Sequence, residues 1–174
     1  MEEKNKLSKE EIFENENKVY KTLENLGIEY NLIEHEPLYT AQQLVVIKDV
    51  AKGTHCKNLF LRNSKGSEYY LIVVRDDKQV DLKSLKDKIG STRLSFASPE
   101  RLFSVLKLTP GSVNPFSLMN DFEHKVKLYI DIDVLNGENL NFHPNINTKM
   151  VNLSLDGFEK FLNSLENSIE KIEI

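Results

Sequence analysis

The chain has 174 residues, 40% of them hydrophobic and 29% charged, with a formal net charge of −4. This composition is typical of a globular domain and excludes collagen-like and strongly disordered proteins. A chain of this length can bury roughly two-thirds of its unfolded surface, which is enough for one stable core. No apolar run reaches the roughly 18 residues of a membrane-spanning helix, and the negative charge disfavours indiscriminate binding to nucleic acid. The single cysteine, Cys56, and the lack of a signal-peptide pattern predict a cytoplasmic protein.

Positive charge is concentrated in one part of the sequence. Between Pro37 and Lys65 only Asp49 is acidic, whereas the residues before Pro37 are rich in glutamate. The basic residues of this stretch are Lys48, Lys52, Lys57, Arg62 and Lys65. They indicate either a local positive face around Lys57 or an ordinary solvated surface.

The N-terminal part predicts a helix, a strand and a second helix. Ser8 to Glu11 has the spacing of a capping box, and apolar residues recur at helical intervals until Gly27. Alternating polar and apolar residues at 28–32 predict a half-buried strand. Thr40 to Gln43 then has a cap spacing that predicts a short helix, which Gly53 terminates.

The middle of the chain predicts a hairpin followed by two surface helices. Segments 59–62 and 69–74 flank a turn that contains glycine. The second segment is apolar on both faces and therefore belongs in the middle of a covered sheet. Asp81 caps a helix that Gly90 ends, and Ser98-Pro99 opens the next one.

The C-terminal part predicts two more strands and a closing helix. Residues 126–133 alternate cleanly, residues 150–155 give a further strand, and Asp156 caps the last amphipathic helix. The polar ends of the chain, 1–8 and 167–174, are predicted to be frayed.

Common catalytic motifs are absent from the sequence. There is no GxSxG, P-loop, GxGxxG, HExxH or CxxC pattern, and the four histidines are too scattered to indicate a metal site. His55 and Cys56 do not form a nucleophile pair, because neighbouring side chains on a strand point to opposite faces. The sequence therefore predicts neither a metal nor a cofactor.

Three features remain that could carry chemistry. Lys57 begins an apolar strand, the segment Gly111–Pro115 is a loop with little side-chain cover over its amides, and His143 lies in a polar loop. A lysine can clamp a phosphate or carbonyl, and amides aimed at an oxyanion contribute about 10²–10³ in rate per donor. This set suits hydrolysis of an activated ester. The alternatives are a solvated lysine, a purely structural loop and a satisfied histidine.

Several short motifs, taken together, resemble the YbaK/ProX-type aminoacyl-tRNA editing domains, which are related to the editing insertion of prolyl-tRNA synthetases. The resemblance spans about residues 17 to 165 and rests on the order and spacing of these motifs. They are His35-Glu36-Pro37 followed by Thr40, Gly53–Leu61, Gly111–Pro115, Asn120-Asp121, Tyr129–Asp133, and His143-Pro144 with Asn145 and Asn147-Thr148.

The resemblance implies a single α/β editing domain over residues 1–174, with a curved mixed β-sheet that closes toward a barrel and is surrounded by helices. It implies that this domain hydrolyses mischarged aminoacyl-tRNA, and that Asn58 beside the lysine favours the branch that removes alanine from proline tRNA. The implied catalytic residues are Lys57, Asn58 and His143. The implied substrate-binding residues are Thr40, Gly111, Ser112, Val113, Asn114 and Pro115, the loop residues holding the terminal adenosine and the ester.

Two other functions stay open at this point. The same chemistry could act on another species, such as proline tRNA carrying cysteine, or the chain could be a non-catalytic module that binds tRNA or a synthetase. The expected partner is the aminoacylated 3′ end of tRNA, with a prolyl-tRNA synthetase or an elongation factor as a candidate second partner and no membrane.

Overall fold

The computed structural model describes residues 5–37 and 41–174. Its α-helices are α1 (Lys9–Asn25), α2 (Ala41–Val50), α3 (Leu82–Ile89), α4 (Pro99–Leu106) and α5 (Leu155–Asn163), and 3₁₀ helices span Pro115–Asn120 and Ile132–Asn136. No helix in the described residues is long and apolar enough to span a bilayer.

The helix starts follow local capping chemistry. At α1 the Ser8 hydroxyl accepts from the Glu11 amide and the Glu11 carboxylate accepts from the Ser8 amide, which confirms the predicted capping box. Asp81 and Ser98 cap α3 and α4 as predicted. The prediction of Asp156 as the last cap is wrong, because α5 begins earlier and the Ser154 hydroxyl accepts from the Gly157 amide at 3.0 Å.

Eight strands form one mixed sheet in the described residues, in the order β1-β7-β6-β2-β3-β5-β8, with β4 paired to β2. The strands are β1 (Tyr30–Glu34), β2 (Thr54–Arg62), β3 (Tyr69–Arg75), β4 (Ser95–Phe96), β5 (Val126–Asp131), β6 (Asn139–Phe142), β7 (Lys149–Ser154) and β8 (Ile169–Ile172). Strands β2 and β3 form the predicted antiparallel hairpin, whereas β5 runs parallel to β3 and β6 runs parallel to β2.

The sheet curls around one large apolar core. Residues from both halves of the sheet, including Val151 of β7 and Leu128 of β5, belong to the same buried cluster. Helices α1, α4 and α5 contribute to this cluster as well, whereas a smaller cluster on the opposite face packs under α3 through Leu85. No pairing joins β1 to β8 among the described residues, so the sheet is curved but open. Residues 70–74 of β3 are all buried, as their two-sided apolar pattern predicts.

Three strands and one chain end differ from the sequence-based expectation. Strands β4, β6 and β8 were not predicted, because each has only two to four residues and mixed polarity. The expectation of a frayed end at 167–174 is wrong, since β8 pairs in parallel with Leu128–Asp131. The strand predicted at 126–133 is shorter than expected, because the chain leaves β5 at Asp131 and enters a 3₁₀ helix.

Candidate active site

Lys57 lies on β2 opposite Val74 of β3 and is half-buried. Within residues 5–37 and 41–174 its ammonium has no hydrogen bond or ion pair. The ammonium therefore keeps its full capacity for an acceptor that a substrate would bring.

The start of β2 is fixed by backbone geometry and by two asparagines. Gly53 has φ +106°, and a Cβ there would lie 2.6 Å from the carbonyl oxygen of Asn139. Just before it, the Lys52 carbonyl accepts from the side chains of Asn141 at 3.1 Å and Asn152 at 2.7 Å. Strands β6 and β7 thus hold the entry of the strand that carries Lys57.

Asn58 leaves β2 on the opposite face from Lys57, because side chains alternate along a regularly paired strand. Its neighbours on that face, Cys56 and Phe60, pack on the large core. The Asn58 Oδ1 atom is buried and has no hydrogen-bond partner among the described residues. The structure therefore does not bring the side chains of Lys57 and Asn58 together on one face.

The Gly111–Pro115 loop combines accessible amides with a rigid base. Gly111 has φ +96°, and the nearest atom to a Cβ placed there is Asn147 Nδ2 at 3.8 Å. The Ser112 amide is used within the turn, since it donates to the Thr109 carbonyl at 3.3 Å. In the part of the chain that the structure describes, the amides of Gly111, Val113 and Asn114 donate to no protein group. Free amides were predicted for this loop, and Ser112 is the exception.

Most of the loop is inaccessible to solvent. Asn114 is 0% exposed, and Ser112 and Pro115 are also buried. Val113 is half-buried and packs against the large core, whereas Gly111 is exposed. A ligand would therefore meet the loop at Gly111 and Val113.

His143 is held as a neutral acceptor. Its Nδ1 lies 2.8 Å from the Lys149 carbonyl and must donate to it, which leaves Nε2 with a free lone pair. Burial lowers the pKa of His143, an effect that its hydrogen bond to the Lys149 carbonyl opposes.

A second histidine accompanies His143, although the two are far apart in the sequence. The rings of His35 and His143 have centroids 5.7 Å apart, and the His35 amide donates to the Thr148 carbonyl at 2.8 Å. No local spacing signals this pair, because strand pairing between β1 and β7 creates it. Sequence reasoning treated each histidine singly and missed their proximity.

The loop and the histidine segment are joined directly. Asn114 Nδ2 donates to Asn145 Oδ1 at 3.0 Å, which ties the Gly111–Pro115 loop to the segment that follows His143. The strand of Lys57 is joined to the same region through β6, because β2 pairs with β6 and β6 ends immediately before His143. The Gly111–Pro115 loop and the His143 segment are therefore in direct contact, and β2, which carries Lys57, pairs with the neighbouring strand β6.

Among the clefts that the described residues form, two are of interest near this region. One, of about 560 Å³, lies between α2 and the end of β1, and the other, of about 410 Å³, follows the Gly111–Pro115 loop. The first is lined by Ile33, Glu34, His35, Glu36, Gln42, Gln43, Val46, Ile47 and Val50. The second is lined by Lys6, Leu7, Ile12, Lys107, Leu108, Thr109, Ser112, Asn145, Ile146, Asn147 and Thr148. Thr40, which the resemblance places at the substrate, lies outside the described residues.

The predicted positive face is weaker than the sequence suggests. Lys48 forms an ion pair with Asp76 at 2.6 Å, and Arg62 lies at the far end of β2, where it donates to the carbonyls of Asn63 and Ser64. The basic residues of this stretch are therefore spread from α2, along β2, which is about 30 Å long, to the turn that follows it.

Neither a thiolate nor a metal site is evident in the described residues. Burial raises the pKa of the Cys56 thiol to about 12, so the thiol is protonated at neutral pH. His55 is engaged through Nε2, 2.6 Å from the Ala51 carbonyl. No group of three or more histidine, cysteine, aspartate or glutamate side chains could hold a metal ion there.

The family model of the aminoacyl-tRNA editing domain matches residues 35–161, more than half of the chain. The chain belongs to the aminoacyl-tRNA editing domain family. This confirms the resemblance inferred from the order of the motifs. The matched range includes the described segments that carry Lys57, Gly111–Pro115 and His143.

Relatives of this editing domain come from bacteria and animals. The prolyl-tRNA editing protein ProX of Acetoanaerobium sticklandii is 43% identical over 152 residues, which is 87% of this chain and 93% of ProX. The mouse prolyl-tRNA synthetase associated domain-containing protein 1 is 33% identical over 141 residues, covering 79% of this chain and 83% of the mouse protein. The multifunctional Ser/Thr-tRNA deacylase ProXp-y of Escherichia coli is 28% identical over 107 residues, covering 60% and 62%.

Solved structures of low sequence identity share the fold. A candidate trans-editing enzyme for prolyl-tRNA synthetase superposes with a TM-score of 0.69 at 18% identity, over 97% of this chain and 99% of the other. The hypothetical protein APE2540 gives a TM-score of 0.67 at 16% identity, over 87% and 96%. These likenesses confirm the predicted curved mixed sheet with surrounding helices.

Proposed function

We propose that this editing domain is a trans-editing deacylase whose principal substrate is proline tRNA carrying alanine, and that Lys57, the Gly111–Pro115 amides and His143 carry the reaction. Aminoacyl-tRNA deacylation follows from the family and from relatives described as a prolyl-tRNA editing protein and a Ser/Thr-tRNA deacylase. The observation that carries the proposal is the hydrogen bond that places the amide-bearing loop next to the His143 segment.

Lys57 binds the negative end of the substrate. An ammonium with no partner among the described residues can contact the phosphate of the terminal nucleotide or the oxygen of the ester carbonyl. Either contact holds the ester in a fixed position beside the reacting groups. Asn58 belongs to the proposed catalytic set as the residue beside Lys57, although its side chain lies on the other face of β2 and its buried Oδ1 has no partner among the described residues.

The loop amides stabilise the negative charge that develops during hydrolysis. Attack on the ester carbonyl places charge on its oxygen, and the amides of Gly111 and Val113, which donate to no group among the described residues, are available to donate to it. Removing one such donor typically costs about 10²–10³ in rate. The scheme uses no covalent intermediate with the protein, and the Cys56 thiol, whose pKa burial raises to about 12, is protonated at neutral pH and is a poor nucleophile.

His143 orients the attacking oxygen, which is a water or a ribose hydroxyl. Its Nε2 is an acceptor while Nδ1 is bound to the Lys149 carbonyl, so the ring can accept a hydrogen bond from a hydroxyl or a water. The lowered pKa of His143 favours the neutral ring that this role requires.

Amino-acid selection follows from the size of the acyl pocket. A pocket that fits alanine excludes the larger ring of proline by overlap, whereas affinity for one extra methylene would give only about 1–3 kcal/mol. Thr40 belongs to this proposal as a substrate-binding residue. A synthetase or an elongation factor as a delivering partner stays a prediction.

The test is deacylation by the Lys57→Ala variant of proline tRNA charged with alanine. We expect the rate to fall at least about 10²-fold with the fold intact, because the ammonium contact is lost. Lys52→Ala is the matched control, since Lys52 is an exposed lysine just before the same strand. Wild-type turnover by Lys57→Ala would refute the assignment of Lys57.

Substrate choice is tested with the wild-type protein. Alanine, cysteine and serine esters of tRNA are assayed side by side, and alanine on proline tRNA should turn over fastest. A preference for cysteine or serine would replace the proposed substrate. Binding of tRNA without release of any amino acid would indicate a non-catalytic module.

A further inference from the structure

A buried network of asparagine side chains lies beneath the Gly111–Pro115 loop. Asn114 is 0% exposed, and its Nδ2 donates to the Ser112 carbonyl at 2.7 Å and to Asn145 Oδ1 at 3.0 Å. Its Oδ1 accepts from the Ser117 amide at 3.1 Å. Both donors and the acceptor of this amide are used, so the Asn114 side chain shapes the loop from below.

Asn145 connects this loop to helix α1. Its Nδ2 donates to the backbone carbonyl of Asn15 at 3.0 Å and to Asn15 Oδ1 at 3.2 Å. Asn15 is anchored in turn, because its Oδ1 accepts from Asn120 at 2.8 Å and its Nδ2 donates to the Lys107 carbonyl at 3.0 Å. The position of Asn145 is therefore set by a rigid helix.

Asparagine suits position 145 because of the backbone conformation there and because of the hydrogen bonds that the side chain makes. Asn145 has φ +62°, a conformation that asparagine tolerates better than most L-residues. It is 7% exposed and needs one group that donates to α1 and another that accepts from the loop. Asparagine has both groups on a short side chain.

We propose that Asn145 is a positioning residue for ester hydrolysis. It holds the amides of the Gly111–Pro115 loop in a fixed position relative to His143, which lies two residues before Asn145 in the sequence. The inference rests on the proposed function. Amides that stabilise an oxyanion must be oriented before the reaction, and small displacements of the donors are costly. Asn145 does not touch the reacting atoms in this scheme and acts through the loop.

The decisive variant is Asn145→Gly. Glycine keeps the positive φ without strain and removes all three side-chain hydrogen bonds of Asn145. Because the loop amides act mainly on the transition state, we expect kcat to fall about 10–100-fold while KM changes less than about 3-fold. Asn15→Ala should give a smaller loss of kcat, since the backbone carbonyl of residue 15 still accepts from Asn145.

His124→Gly is the matched control, because His124 also has a positive φ, at +52°, and its exposed side chain pairs with Glu166, away from the loop. Its kcat should equal that of the wild type. A purely structural role for Asn145 would lower the melting temperature and leave kcat per folded molecule unchanged, and that result would overturn the inference.

Amide hydrogen exchange supplies a readout that does not depend on activity. The hydrogen-bonded amides of Ser112 and Ser117 should exchange faster in Asn145→Gly than in His124→Gly, and the amide resonances of Gly111 and Val113 should shift in the NMR spectrum. If the wild type hydrolyses no aminoacyl-tRNA, the proposed function fails, and the exchange experiment alone decides whether Asn145 positions the loop. Unchanged loop amides in Asn145→Gly would refute the positioning role.

Discussion

One nitrogen of His143 is occupied by the protein, and this determines what the other can do. With Nδ1 donating to the Lys149 carbonyl, Nε2 is an acceptor whenever the ring is neutral. Protonation would convert Nε2 to a donor and place a positive charge in a partly buried site. The proposed role of His143 therefore depends on its protonation state more than on its mere presence.

Activity and stability should both report the titration of His143. Its folded pKa lies below the ordinary value of 6.5 because burial disfavours the charged ring. In the window between 6.5 and the lower folded value, the unfolded chain binds more protons, so the free energy of unfolding falls as the pH falls through it. Above 6.5 this contribution is constant. The acid limb of kcat/KM should lie below pH 6.5.

His143→Gln provides the comparison, because glutamine does not titrate. Between about pH 7 and about pH 5, the wild type should lose stability relative to His143→Gln. Urea unfolding at several pH values, together with NMR titration of the His143 ring, measures this difference. A constant difference in unfolding free energy across the range would contradict the lowered pKa.

At the level of elements, the junction between α2 and β2 determines where Lys57 lies. Gly53 has φ +106° and passes so close to Asn139 that any Cβ would meet its carbonyl oxygen. Asn141 and Asn152 both donate to the Lys52 carbonyl, and these hydrogen bonds fix the start of β2 against β6. Glycine is required here for space as well as for conformation.

Gly53→Ala should therefore destabilise the protein and reduce its activity. The backbone conformation alone costs about 1–2 kcal/mol, and the overlap with Asn139 adds to it by pushing β2 away from β6. Gly90→Ala is the control, because Gly90 also has a positive φ, at +67°, but nothing lies within 4 Å of a Cβ there. Denaturant unfolding and deacylation are measured for both. Equal losses of stability in the two variants would show that β2 is not held against β6.

Elements with strong local signals were predictable, and elements made by distant partners were not. The capping box at Ser8 and the two-sided apolar strand at 70–74 are encoded by neighbouring residues, and both are present in the structure. Strand β6 contains two asparagines in four residues and has little strand propensity of its own. It exists because β2 and β7 pair with it on either side.

The same distinction applies to the candidate site. Lys57, Gly111–Pro115 and His143 were predicted because each belongs to a recognisable motif. The contacts of Asn15 with Asn145, and of His35 with His143, join residues that are far apart in the chain and carry no local spacing signal. A single sequence cannot reveal them, since they arise only when α1 and the sheet have packed.

At the scale of the whole molecule, some of the positive charges are offset by neighbouring carboxylates. Lys48 is paired with Asp76, and Lys78 with Asp131 and Asp133, so these two lysines are less available to a polyanion, and the formal net charge of the chain is −4. With few phosphate contacts, affinity for tRNA should depend only weakly on salt. Discrimination between aminoacyl-tRNA substrates would then depend on contacts within the candidate site and not on overall charge.

The C-terminal strand β8 is predicted to be needed for stability, in contrast to the frayed end that its composition suggests. It pairs with β5 along Leu128–Asp131, and the Ile174 amide donates to Asp131, a carboxylate that is 0% exposed. Ile169 and Ile172 each pack against one of the two apolar clusters. Removing residues 169–174 would leave β5 as a solvent-exposed edge strand. It would also expose Asp131, which forms an ion pair with Lys78.

We expect this truncation to lower the free energy of unfolding by about 2–4 kcal/mol, mainly through the two partly buried isoleucines. Glu170→Ala, which changes an exposed side chain of the same strand, should stay within about 0.5 kcal/mol of the wild type. Denaturant midpoints of the three proteins measure the effect. Because β5 lies beside β3, and β3 beside the strand of Lys57, deacylation should fall together with the folded fraction. A truncated protein with the wild-type midpoint would show that β8 contributes nothing to the sheet that holds the site.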